Sequence, residues 1–120
     1  MGEMLGMKER YMREKRRQEL REQYCSWTEN HQQRGTRAFP IYEYFHAEQL
    51  ADLSGGALKL YIYLGLYSDP MTGECTQTTE VIAETLGVEP YTVKKWLNEL
   101  KGKGLVEKIR GTSYTFLLPY

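Results

Sequence analysis

Apolar positions recur at helical spacing in the last third of the chain and are scattered in the first. Val93, Trp96, Leu97 and Leu100 stand at i, i+3, i+4 and i+7, the stripe of a helix that buries one face. Directly opposite lie Tyr91, Lys95 and Asn98, with Lys94 on the flank and Lys101 nearer the core edge. Just upstream, Ile82, Ala83 and Leu86 give a shorter helix, from Thr78 to Leu86, a narrow inner face. Thr78 suits its N-cap, and Glu80 lies in its first turn, where negative charge is favoured. Gly87 follows where a helix end commonly needs a left-handed residue, and Pro90 sits where the next helix tolerates a missing N–H. Two short helices therefore meet at a tight turn.

Ala57 to Tyr67 is apolar nearly all round, as in a helix buried in a small core, with Ser54 placed to cap it. Ser68 to Gly73 reads as a turn broken by Pro70 and Gly73. Leu105 to Ile109 and Tyr114 to Leu118 predict a two-stranded hairpin around Arg110-Gly-Thr-Ser113, with Tyr114, Phe116 and Leu118 alternating along the second strand. Ile41 to Phe45 suits a short strand by its aromatic and β-branched content, and His46 to Leu53 one or two helical turns. Residues 3–33 contain no proline and are rich in helix formers, but Arg13 to Glu19 has no apolar residue, so no heptad seam runs through them. A helical arm that docks in part and frays in part is expected there, followed by a linker at Gln32 to Arg37. The expected organisation is an N-terminal basic extension, residues 1–37, and a domain over residues 38–120. Its class is mainly α with a small β-hairpin.

The formal net charge of zero conceals a polarity. Residues 1–37 carry +3, residues 38–89 carry −7 and residues 90–120 carry +4. Local patches decide what a surface attracts. Cys25 and Cys75 lack any metal-ligand or disulfide pattern, and no apolar run is long enough for a signal peptide or a membrane span, so a soluble cytoplasmic protein is expected. His31 and His46 have no cysteine or carboxylate at ligand spacing, Cys75 beside Glu74 has no general base, and no phosphate-binding glycine loop is present. These positions suggest no catalysis, no metal and no cofactor.

Leu53-Ser-Gly-Gly-Ala-Leu-Lys-Leu-Tyr-Ile-Tyr-Leu64, Thr72-Gly-Glu-Cys75, Ile82-Ala-Glu-Thr-Leu-Gly-Val88, Thr92-Val93 and Leu97-Asn-Glu-Leu-Lys-Gly-Lys-Gly-Leu105 together resemble a winged helix-turn-helix domain. Ala83 is small where the two helices would cross, and Gly87 makes the turn. The segment from Leu53 to Leu118 is similar to modules in bacterial phage, plasmid and conjugative-element proteins that regulate transcription or initiate replication. The resemblance implies a recognition helix at Pro90 to Lys101 and a wing at Arg110 to Ser113. It departs from many relatives at Glu89, Pro90 and Tyr91, where they have a serine followed by basic residues. Glu89 repels phosphate, and two roles stay open for it, acceptance from cytosine N4 and a structural cap.

On this reading the partner is double-stranded DNA. Tyr91 and Asn98 are candidates for base contacts, Lys94 and Lys95 for base or phosphate, and Lys101, Lys108 and Arg110 for the backbone; Thr92 joins them through the resemblance. Trp96 falls beside the buried stripe and is assigned to the core. Arg13, Arg16 and Arg17 are candidates for a phosphate-tracking arm, but Glu14, Glu19 and Glu22 interleave with them, and a salt-bridged solvated helix is the alternative. A homodimer through Tyr11, Leu20, Tyr24 and Trp27 is also open, as is a protein partner for the acidic middle. Transcriptional regulation is the expected output. Replication initiation for a mobile element is the close alternative, and a winged-helix protein-interaction module the alternative of another class.

Overall fold

Helix α1 (Gly2–Arg34) runs unbroken for 33 residues, as the absence of proline and the abundance of Glu, Arg, Gln and Met allow. The computed structural model describes residues 2–45 and 49–120, which fall into two units that part between Arg37 and Ala38. From Gly6 onward the side chains of α1 are exposed, with only Glu19 and Thr28 half-buried. Its charges pair along the helix, Arg16 with Glu19 at 3.3 Å and Arg17 with Glu14 at 3.6 Å. Near its end Trp27 meets Tyr24 and, edge-on, His31, whose Nδ1 lies 3.0 Å from Thr36 Oγ1.

The second unit contains α2 (Gly55–Leu66), β1 (Glu74–Cys75), α3 (Thr79–Leu86), α4 (Pro90–Gly102), β2 (Val106–Lys108) and β3 (Thr115–Leu117). Ser54 caps α2, its Oγ accepting from Ala57 N at 3.1 Å, and Thr78 caps α3, its Oγ1 accepting from Val81 N at 3.2 Å. Gly87, at φ 69°, lets the chain leave α3 in the left-handed conformation, so that Val88 N donates to Ala83 O and Gly87 N to Glu84 O. Those two bonds satisfy carbonyls that the helix end leaves open. The same pair of bonds closes α4, Leu105 N to Leu100 O and Gly104 N to Lys101 O, and turns the chain into β2.

The core lies between α2, α3, α4 and one face of the sheet. Its most deeply buried large side chains are Leu60, Leu64, Val93, Leu100, Leu105 and Cys75. Burial pushes the Cys75 thiol pKa up, although a backbone hydrogen bond at Gln77 opposes this. On β3 the inward residues are Thr115 and Leu117, while Tyr114 is exposed and Phe116 half-buried.

Two expectations are corrected. The hairpin is part of a three-stranded antiparallel sheet of order β1-β3-β2, in which Glu74 and Cys75 pair with Phe116 and Thr115. Asp69 makes this possible: its N–H donates to Glu74 O at 2.8 Å and its carbonyl accepts from Gly73 N at 2.7 Å, which folds the turn back so that Glu74–Cys75 lies along β3. Nor is Ile41 to Phe45 a strand, since Glu43 lies in a turn and Tyr44 and Phe45 are helical. Two of its aromatic residues, Tyr42 and Phe45, serve ring packing in place of a ladder. Phe45 is buried, stacked on Tyr61 at 5.1 Å and tilted against Tyr120 at 5.5 Å, and the Tyr120 hydroxyl accepts from Tyr42 N at 2.7 Å. Desolvation first, then Tyr120, push the Tyr61 phenol up to about 12.

Candidate nucleic-acid interface

Helices α3 and α4 pack on each other, and α4 also packs on α2 and β2. The face of α4 turned to these neighbours is the apolar stripe: Val93, Leu97 and Leu100 are buried. Trp96 is half-buried over α2, where a side chain on Gly56 would overlap its indole. Glycine at position 56 thus admits the indole and sets how closely the two helices approach.

The opposite face is open. Tyr91 is 76% exposed, and Lys94, Lys95, Asn98 and Lys101 are exposed with it, while Thr92 is half-buried at the edge. The cations of this face, Lys94, Lys95 and Lys101, enter no ion pair among the described residues. Charges on the side turned toward the α2 N-terminus are engaged. Glu99 accepts from Ser54 N at 3.0 Å and from Ser54 Oγ at 2.8 Å, and Lys103 meets Asp52 at 3.2 Å. Sorting the charges this way leaves a positive surface on which an aromatic ring and an amide are also displayed. Those groups can donate to phosphate oxygens and to base edges.

The β2–β3 connection adds a second basic element. Arg110 is exposed at its tip and Lys108 half-buried at its base. Thr112 shapes the tip: its N–H and Oγ1 both donate to Ile109 O, at 3.1 and 2.8 Å, and its Oγ1 accepts from Tyr114 N. Ser113 Oγ donates to Thr76 O at 3.3 Å and ties the tip to the segment before α3.

Five of the residues expected at the interface, Tyr91, Lys94, Lys95, Asn98 and Lys101, therefore share the exposed surface of one helix, and Lys108 and Arg110 stand on the adjoining strand and wing. Arg13, Arg16 and Arg17 lie on α1 in the other unit, the latter two in ion pairs with glutamates. His46 falls outside the described residues. The bracing role of Glu99 was not anticipated, because its partner Ser54 is 45 positions away and no local pattern connects them. Among the described residues no group of three or more His, Cys, Asp or Glu side chains is placed to hold a metal, and no helix is long and apolar enough to cross a membrane.

Two short helices at a tight turn, preceded by a core helix and followed by an antiparallel hairpin, make the second unit a winged helix-turn-helix fold. Residues 51–106, just under half of the chain, match a family model described as a helix-turn-helix domain. That span runs from the residues before α2 to the first residue of β2, and so includes both helices of the motif. Neither a curated protein nor a solved structure matches the chain.

Proposed function

We propose that the protein binds duplex DNA by laying α4 in the major groove and the β2–β3 wing against the backbone, and that it regulates transcription in the cytoplasm of a bacterial cell. One observation carries the reading: the outward face of α4 holds three lysines outside any described ion pair, whereas Lys103 and Glu99 are engaged toward the α2 N-terminus. Cations left in this state can displace the counterions condensed on DNA.

Retention of random genomic duplex fragments over a salt series tests it. Binding through about four to six phosphates weakens steeply from low to moderate salt. A defined retained site that Lys94→Ala/Lys95→Ala loses is the expected result. No retention at low salt would sink the proposal. A replication initiator of a mobile element would use the same surface, and the retained locus, a promoter or an origin, separates the two roles.

A second reading, a protein-interaction module, draws on an open, mostly apolar groove lined by Ile41, Tyr42, Glu43, Phe45, Leu50, Leu58 and Ile62. An apolar interface there would hardly respond to salt, so the same titration discriminates.

A further inference from the structure

The two carboxylates of the α4 region have opposite environments. Glu99 is held by the N–H and the hydroxyl of Ser54 and belongs to the scaffold. Glu89 occupies the N-cap of α4, with the extended backbone of a cap at φ −73° and ψ 147°, yet its side chain makes no capping hydrogen bond. Ser54 and Thr78 do make that bond at α2 and α3. Glu89 is exposed and enters no ion pair among the described residues. Among the described residues its carboxylate thus has no partner, and it stands at the very end of the helix whose first residues, in a docked helix-turn-helix, face the base edges.

Resting on the DNA-binding proposal above, we infer that Glu89 is a specificity determinant that reads cytosine in the major groove. The choice of base follows from charge. Guanine N7 and O6 and thymine O4 present only lone pairs, which a carboxylate repels, and adenine sets the N7 lone pair directly beside its N6 donor, whereas cytosine presents its N4 amino group with no acceptor next to it on its own ring. The same carboxylate repels the flanking phosphates, so it weakens binding to non-cognate duplex while favouring a cognate C·G pair. Lys94, Lys95 and Arg110 supply the attraction, and Glu89 the discrimination.

The test is selection of retained sequences from a pool of randomised duplexes by the full chain and by Glu89→Ala and Glu89→Gln, with thermal melts confirming that both variants fold. The full chain is expected to select a motif with a C·G pair at one position. Glu89→Ala flattens that position alone, with a loss of discrimination on the order of 10-fold, and holds non-cognate duplex more tightly. Glu89→Gln shifts the preference there toward adenine, which an amide can bind through N6 and N7 together. If all three proteins return one motif and the variants merely bind every site more tightly, the assignment of Glu89 is overturned while DNA binding stands. If the full chain retains no duplex at low salt, the DNA-binding proposal fails and this inference falls with it.

Discussion

Helix α1 carries Tyr11, Tyr24 and Trp27 among six arginines and two lysines, and α4 carries Tyr91 and Trp96 beside three lysines, so by residue type the two have much in common. They differ in arrangement. Along α1 the apolar side chains are exposed at Met7, Tyr11, Met12, Leu20, Tyr24 and Trp27, and glutamates stand within a turn of the arginines and pair with two of them. In α4 Val93, Leu97 and Leu100 are buried on one side with Trp96 half-buried beside them, Glu99 is drawn toward α2, and the cations are left together on the outside. What makes a surface attractive to a polyanion is the separation of its charges. Interleaved charges largely cancel over a Debye length of about 8–10 Å.

The largest expected difference between the two helices is in stability. Leu100→Ala should cost about 2–5 kcal/mol by leaving a cavity in the core, whereas Leu20→Ala on α1 should stay within about 0.5 kcal/mol. Denaturant titration measures both, and equal losses would mean that α1 is as firmly packed as α4. In DNA binding, Lys94→Ala/Lys95→Ala should lower the slope of log affinity against log salt by about two, and Arg16→Ala/Arg17→Ala by much less. A matching fall in the arginine variant would turn α1 into a phosphate-tracking arm and end the contrast.

Smaller effects separate the acids. Glu99→Ala releases the hydrogen bonds to Ser54 and should lower stability by about 1 kcal/mol, with DNA affinity at saturating folded protein unchanged. Glu89→Ser supplies the cap that α4 lacks and should raise stability by up to about 1 kcal/mol, visible as a higher thermal midpoint. A loss of stability in that variant would mean that the Glu89 carboxylate supports α4 after all.

Local signals were readable along the chain and non-local ones were not. Ser54, Thr78, Gly87 and Pro90 each act within a few residues of their own position, through a cap, a left-handed residue or a missing donor, and the structure places each where its neighbours required it. The stripe of α4 was readable because burial follows the 3.6-residue period. By contrast β1 is two residues long, too short to show an alternation, and it exists because Glu74 and Cys75 find Phe116 and Thr115 some forty positions later. The segment Ile41 to Phe45 misled for a related reason. Strand composition describes a surface that fits its neighbours, and the neighbours here are the rings of Tyr61 and Tyr120 in place of a strand edge.

The order of residues thus dictates which segments form helices, where they stop and which side of α4 is apolar, because hydrogen bonds and periodicity act over one or two turns. Which charges are neutralised within the protein and which stay available depends on contacts that only folding brings about. Glu99 and Glu89 are the same residue type ten positions apart, and local spacing shows no partner for either. One meets the hydroxyl and N–H that begin α2, the other meets no described partner, and that difference is set by the packing of α2 against α4.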